Sequence, residues 1–394
     1  MKKIKAFAFS LVLLVVFIAV FHAYTDKISL KGGANFKRWY NQYKDKSYDA
    51  LSENIDKDTM LVFGSSEFGH HKHGWYHINN MFTDKDLDVL IIGQPYTQSI
   101  NHAISLAALS KDVKNKKVVL ILSPTWFKGK GANGNSFNFR FSDSQYIEML
   151  KNPKISYELK EEIADRTMIL LKGSEKTLKR VKMYNKVYLE EHAGIATNVI
   201  EFFTEVLKVD QEVGAVKLAM LMRDKKSINK KSTISDISSI DWKELRQKAY
   251  DESVDHSDNP LHITDRLWNI RFKKRMEPMR DAYKDDDLVH SKEYQDLRLF
   301  LEVAKQENID VELIIQPING YWYDHTGLTD DKRQACYDRI HKISDRYGAT
   351  LVDLSGYSYE PYTLSDAVHP WKRGWILIDE AIFNFYKNGS SVQR

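Results

Sequence analysis

The chain has 394 residues, of which 43% are hydrophobic and 12% aromatic, so it holds enough apolar material for a large folded core. Its formal net charge is +4, which suits an anionic polymer or membrane surface but is too small to indicate nucleic-acid binding. The single cysteine, Cys336, excludes an intrachain disulfide and with it the disulfide-rich class of secreted domains.

The first predicted element is an uncharged apolar stretch from Ala6 to Ala23. A helix rises ~1.5 Å per residue, so this stretch nearly crosses a hydrocarbon layer of ~30 Å. Three lysines within the first five residues precede it, as in a signal peptide or a signal anchor, and no well-matched A-x-A cleavage site follows it. We therefore predict an uncleaved transmembrane anchor over residues 1–24 and a juxtamembrane segment over residues 25–58.

Short runs rich in Val, Ile and Leu follow and are typical of strands that are covered on both faces of a parallel sheet. Helical patterns lie between and after them, and this alternation predicts an α/β fold with a three-layer, flavodoxin-like parallel sheet over residues 59–150 and 291–390. The predicted strands are Thr59–Phe63, Leu87–Gly93, Lys117–Leu122, Val311–Gln316 and Thr350–Leu354. The predicted helices are Ser99–Lys111, Tyr294–Glu307, Asp330–Tyr347 and Trp375–Tyr386.

The alternation stops between residues 151 and 290, where we predict a helical insertion. Lys160–Leu171 and Leu189–Met222 have the spacing of amphipathic helices. The insertion could simply pack on the sheet domain, or it could be a lid or docking surface over a functional site. The residues do not decide between these two interpretations.

Two serines, Ser65 and Ser66, directly follow the first predicted strand. A side chain in this place lies at the carboxyl end of the sheet, where open α/β folds bind ligands. A serine hydroxyl becomes a useful nucleophile when a histidine takes its proton. We choose Ser66, the third residue of a Gly-x-Ser block, as the nucleophile, and Ser65 is the alternative.

Asp366 and His369 supply the carboxylate and the imidazole that such a nucleophile requires. They are three residues apart, so one turn of a loop can bring the two side chains together. Pro370 disfavours the α conformation at His369, which favours a loop over the middle of a helix. Each motif alone is common by chance, but together they predict a catalytic triad of Ser66, His369 and Asp366.

A cluster of histidines, His70, His71, His73 and His77, could suggest a metal site. No Asp or Cys joins them at a recognised zinc spacing, so we predict a loop of solvated histidines near the mouth of the site and no metal. The chain has no P-loop or Rossmann glycine pattern, and we expect no cofactor.

These motifs resemble the SGNH hydrolase superfamily, in which a strand ends in Gly-x-Ser and Asp-x-x-His precedes the last helix. Two features depart from it: Ser65 replaces an acidic residue, and no Gly-x-Asn-Asp block is evident near the third strand. The membrane segment, Phe63–Phe68, Ser123-Pro124 and Ser365–Pro370 together are similar to the DltD family of Gram-positive bacteria over nearly the whole chain.

The resemblance implies a serine acyl-transfer protein of teichoic acid D-alanylation. D-alanine would pass through an ester on Ser66 to lipoteichoic acid outside the membrane. The implied partners are lipoteichoic acid and a membrane-embedded D-alanyl acyltransferase of the same pathway, with a D-alanyl carrier protein as a further candidate. The implied location is the cell membrane, with one membrane pass and an extracellular catalytic domain.

An acyl-transfer site also needs donors for an oxyanion, and the backbone N–H of Ser66 is the first candidate. SGNH enzymes use a glycine in the place of Gly93, and Ser123 or the region of Thr125 could replace their missing asparagine. Two other functions stay open. One is an anchored O-acetyl esterase of cell-wall polysaccharide, with water as the acceptor, and the other is a non-catalytic protein that binds the carrier or the polymer.

Overall fold

The computed structural model describes residues 2–82, 85–190, 193–223, 233–234 and 236–388. Its centre is a five-stranded sheet with the order β2-β1-β3-β4-β5, in which every neighbouring pair is parallel. The strands are β1 Met60–Phe63, β2 Val89–Ile92, β3 Lys117–Leu122, β4 Asp310–Ile315 and β5 Thr350–Asp353. The predicted strands are confirmed: β3 has the predicted bounds, and the ends of the other four differ by at most two residues.

Helices cover both faces of this sheet because its side chains alternate between two separate hydrophobic clusters. Leu61 and Phe63 of β1 belong to the first cluster, whereas Met60 and Val62 belong to the second. The predicted three-layer α/β fold is therefore confirmed. The helices are α1 Lys2–Thr25, α2 Gly33–Lys37, α3 Tyr48–Ser52, α4 Ile78–Met81, α5 Ser99–Leu109, α6 Gly134–Arg140, α7 Asp143–Lys151, α8 Tyr157–Leu170, α9 Glu175–Tyr188, α10 Ile195–Leu221, α11 Trp242–Val254, α12 Asp265–Leu267, α13 Met276–Met279, α14 Glu293–Gln306, α15 Gly320–His325, α16 Asp330–Tyr347 and α17 Lys372–Asn388.

The helices on the two faces of the sheet are identified by the cluster to which their side chains belong. Helices α5 and α14 pack against each other and contribute to the first cluster, and α17 contributes Trp375 and Ile378 to the second. Helix α16 ends where predicted, because Gly348 adopts a left-handed conformation with φ of 64° that favours glycine. The carboxyl ends of β1, β3 and β4 consequently meet along one edge of the sheet.

Helix α1 matches the predicted anchor: Lys3–Thr25 is long and apolar enough to cross a membrane. Most of its apolar side chains are exposed in the isolated chain, and it packs against α10. The proposed insertion, residues 151–290, contains α8 to α13 and no strand among its described residues. Part of it reaches the sheet edge, because the backbone N–H of Thr264 donates to the carbonyl of Ser365.

Candidate active site

Ser66 lies at the first position of a 3₁₀ turn, Ser66–Gly69, that starts just beyond the end of β1. Two glycines permit the close backbone approach at this turn. A Cβ on Gly64 would overlap the side chains of Glu67 and Phe68, and a Cβ on Gly93 would overlap the carbonyl of Gly64. The hydroxyl of Ser66 is half-buried at the carboxyl edge of the sheet.

Asp366 and His369 lie on a loop that hydrogen bonds close into a tight turn before α17. Leu364 and Pro370 form an antiparallel bridge, and the N–H of Ser365 donates to the carbonyl of His369 at 2.9 Å. Side chains beyond the end of β4 hold the loop in place. For example, the amide of Gln316 donates to the carbonyl of Val368 at 3.3 Å. The loop conformation that Pro370 predicted is therefore the one observed.

The turn and the loop bring the three predicted side chains into one hydrogen-bonded series. Ser66 Oγ lies 2.8 Å from His369 Nε2, and His369 Nδ1 lies 2.8 Å from Asp366 Oδ2. The other carboxylate oxygen of Asp366 accepts the backbone N–H groups of Val368 and His369, both at 2.9 Å. This geometry allows the imidazole to take a proton from the hydroxyl while the carboxylate fixes the ring.

The surroundings keep Asp366 ionised although it is buried. Burial alone would raise the pKa of its carboxyl group, but the hydrogen bond and charge of His369 and the two backbone N–H groups lower that pKa to about 2. A carboxylate that stays charged can stabilise the imidazolium that forms when His369 accepts a proton.

The two adjacent serines have different environments. Ser65 is 3% exposed, and its hydroxyl donates to the carbonyl of Gln94 at 3.1 Å. The hydroxyl of Ser66 faces the imidazole instead. The geometry therefore favours Ser66 over Ser65 as the nucleophile.

The buried carboxyl group of Glu67 bonds to the backbone of the turn. Glu67 is 2% exposed, and its Oε1 accepts the backbone N–H of Ser65 at 2.5 Å. Burial raises the pKa of Glu67 to about 7, although the backbone hydrogen bonds and the nearby His369 oppose this rise. Glu67 therefore lies in the first turn of the 3₁₀ helix Ser66–Gly69 and ties the backbone of Ser65 to it.

The predicted oxyanion donors differ in their availability. The backbone N–H of Ser66 has no hydrogen-bond acceptor within the described part of the chain. The N–H of Gly93, by contrast, donates to Asp45 Oδ2 at 3.2 Å, so it is already engaged in this structure. Ser123 lies at the end of β3, where it is buried and its hydroxyl bonds to that of Thr125 at 2.8 Å. Ser66 is therefore the best placed of the three donors.

A second imidazole covers the face of the first, which the sequence analysis did not foresee. The rings of His70 and His369 are stacked, with centroids 3.5 Å apart and planes at 8°. Burial and then the neighbouring His369 lower the pKa of His70 to about 4, so this ring is neutral near pH 7. His70 belongs to the histidine cluster that follows the nucleophile motif, so the cluster is the sequence feature that could have indicated this contact.

The predicted loop of solvated histidines is therefore wrong for two of its members. His70 is packed against His369, and His77 is fully buried against Trp375 with ring centroids 4.2 Å apart. Among the described residues, His70, Asp366 and His369 place possible metal-ligand atoms within 4.8 Å of one another. An ion bound there would compete with Ser66 and Asp366 for the imidazole nitrogens.

Comparisons with known proteins give a consistent family. A family model described as DltD protein matches residues 33–387. The chain is 30% identical over 331 residues to Protein DltD of Staphylococcus aureus (strain NCTC 8325 / PS 47), a match that covers 83% of this chain and 80% of the relative. It is 27% identical over 348 residues to Protein DltD of Bacillus subtilis (strain 168), covering 85% and 84% of the two chains. Protein DltD of Lacticaseibacillus rhamnosus is 23% identical over 312 residues, covering 77% of this chain and 71% of the relative.

Proposed function

This chain belongs to the DltD family, and we propose that it is a membrane-anchored serine acyl-transfer protein of teichoic acid D-alanylation. D-alanine would pass through an ester on Ser66 to lipoteichoic acid. The observation that carries this proposal is the 2.8 Å contact between Ser66 Oγ and His369 Nε2, because a serine so placed can be deprotonated as it attacks a carbonyl.

In the first half of the reaction, Ser66 Oγ attacks the carbonyl carbon of a D-alanyl donor while His369 Nε2 takes the hydroxyl proton. Asp366 stabilises the imidazolium, and the N–H of Ser66 donates to the oxyanion. The bond between the D-alanyl carbonyl and the donor then breaks, and His369 returns the proton to the leaving group. The product is a D-alanyl ester of Ser66.

In the second half, a hydroxyl of lipoteichoic acid attacks this ester. His369 takes the proton of that hydroxyl and delivers it to Ser66 Oγ as the ester bond to the protein breaks. The free serine is regenerated, and the polymer carries a D-alanyl ester. A membrane-embedded D-alanyl acyltransferase would supply the acyl group, and a D-alanyl carrier protein is a further candidate donor. Helix α1 would hold the catalytic domain outside the membrane, near a polymer that is tethered to lipid.

The test is the amount of ester-linked D-alanine that mild alkali releases from lipoteichoic acid in cells. We expect deletion of the gene to remove these esters, and we expect the wild-type chain to restore them while Ser66→Ala does not. Ser65→Ala is the matched control, since it also removes a serine hydroxyl, at the neighbouring residue. Unchanged esters after deletion would reject D-alanylation and make the O-acetyl esterase the leading function.

Labelling by a fluorophosphonate probe separates the enzymatic functions from a non-catalytic binding protein. A binder with an unreactive serine would not be labelled. Labelling of the wild type but not of Ser66→Ala would support covalent chemistry at this residue whatever the acceptor is.

A further inference from the structure

The first half of α10, residues 195–207, separates its side chains into two faces. Successive residues of a helix are turned by ~100°, and on this spacing one broad sector contains only apolar residues. The polar residues all lie on the opposite side, and they are Thr197, Asn198, Glu201, Thr204 and Glu205. The apolar face is formed by Ile195, Val199, Ile200, Phe202, Val206 and Leu207.

The two glutamates of the polar face are turned toward the protein, and the apolar face is turned outward. Glu201 is 3% exposed, and Glu205 bonds to Tyr188 Oη of α9 at 2.7 Å and to Lys151 Nζ of α7 at 2.5 Å. In contrast, Ile195 is 85% exposed and Phe202 is 59% exposed. A helix on a water-facing surface has the reverse orientation, so water is not the natural surrounding of this face.

Contacts with α1 show where this face lies relative to the anchor. Asp210 accepts the hydroxyl of Thr25 at 2.5 Å and lies 3.0 Å from His22 Nδ1. Further along α10, Lys217 Nζ donates to the carbonyl of Ser29 at 3.4 Å. The contacts follow the same order in both segments, so the residues before Asp210 are directed toward the apolar stretch of α1.

We propose that the first half of α10 is an interfacial membrane helix, whose apolar face enters the lipid leaflet at which α1 ends. The inference rests on the anchoring by α1 that the proposed function includes. Phe202 is eight residues before Asp210 and so lies up to ~12 Å along the helix from the level of His22. Interfacial helices bury their apolar face by ~5–10 Å, and Phe202 falls within this depth when α10 is inclined to α1 and not parallel to it.

The consequence is a second attachment to the membrane. A domain held only by α1 could rotate and tilt about the juxtamembrane segment. A second contact through α10 restricts both movements and fixes the height and orientation of Ser66 over the membrane surface. The occupant of the apolar face is lipid, because the face is continuous with the side of α10 on which Asp210 and Val213 lie, and Asp210 contacts α1.

The experiment uses the full-length chain in lipid nanodiscs that contain no other protein. Cys336 is fully buried, so single cysteines introduced at Phe202, Val12 and Lys342 can be labelled selectively with an environment-sensitive fluorophore. Val12→Cys on α1 reports insertion of the anchor. Lys342→Cys, on an exposed position of α16, is the control in water. Quenching by phospholipids that carry a spin label on the acyl chain is then measured at each site.

We expect the label at Phe202→Cys to be quenched several-fold more than the label at Lys342→Cys. Ile195→Cys, at the start of the same face, should behave like Phe202→Cys and guards against a local defect of one variant. Quenching at Val12→Cys together with a water-like signal at both α10 positions would overturn the inference and leave this face for a membrane protein partner. Absence of quenching at Val12→Cys would instead reject the anchoring itself, and the inference with it.

Discussion

The imidazole rings of His70 and His369 lie nearly parallel, at 8°, with 3.5 Å between their centroids. The two residues come from opposite ends of the chain and meet at the carboxyl edge of the sheet. His369 also bonds to Ser66 and to Asp366, so its ring is held on both nitrogens and on one face. This relationship makes His70 a positioning residue for the proposed general base.

The first prediction concerns the nucleophile. Ser66→Ala should abolish acyl transfer, since loss of a triad member typically lowers the rate by about 10⁴–10⁶. The fold should be unaffected, because the Ser66 side chain contributes little to packing. The measurement is the rate of D-alanine transfer, with thermal unfolding as a check on the fold. Ser65→Ala should stay active, and an inactive Ser65→Ala beside an active Ser66→Ala would reverse our assignment.

The second prediction concerns the carboxylate. Asp366→Asn replaces an acceptor of the His369 Nδ1 proton by a group that also donates, so the imidazole loses its preferred tautomer. We expect the rate of fluorophosphonate labelling at Ser66 to fall by about 10⁴. Asp353, the last residue of β5, lies 2.7 Å from His341 of α16 and provides a matched control. Asp353→Asn should label at the wild-type rate, and equal losses in both variants would point to a general effect on folding.

The third prediction concerns the stacked imidazole. His70→Ala removes the surface against which the His369 ring rests, and we expect labelling of Ser66 to slow by roughly 10-fold as the base becomes less well oriented. His70→Phe keeps a flat ring without a proton to exchange, and it should recover most of the rate. If Ser66 is labelled as slowly in His70→Phe as in His70→Ala, then His70 acts through its ring nitrogens and not through stacking.

The fourth prediction concerns pH and stability. The pKa of His70 is lowered to about 4 in the folded chain, against an ordinary value near ~6.5 when unfolded. Between these values the unfolded state binds one more proton, so the free energy of unfolding falls as pH drops from ~6.5 toward 4. In His70→Phe this decrease in the free energy of unfolding should be smaller by on the order of 1 kcal/mol. The figure is set low because His70 is partly exposed and solvent screens its charge. Chemical denaturation at several pH values measures the free energy of unfolding. The same pH dependence in the wild type and in His70→Phe would contradict the prediction.

The fifth prediction concerns the anchor. A chain that starts at Asp26 should still react with the fluorophosphonate probe, because α1 contributes nothing to the two sheet clusters. It should not restore ester-linked D-alanine in cells, since the tether that concentrates the site near a lipid-linked polymer is gone. Replacing α1 by an unrelated transmembrane helix is the control. Full restoration by the secreted form would show that tethering is dispensable.

Local sequence patterns determined most of the fold. The strands and α16 were predicted within one or two residues, because runs of Val, Ile and Leu and helical periodicity depend only on neighbouring residues. The same holds for the apolar stretch of α1. The candidates Ser66, Asp366 and His369 followed from short motifs at predicted strand ends. Their catalytic role stays a prediction, although the structure brings the three side chains together.

Only the tertiary structure decided which distant groups meet. The sequence could not show that His70 stacks on His369, that Asp45 takes the N–H of Gly93, or that Asp210 joins α10 to α1. These pairs are separated by 48 to 299 positions along the chain, so no local period relates them. The packing of the layers sets such contacts. It places His70, which the sequence predicts to face solvent, against the ring of His369.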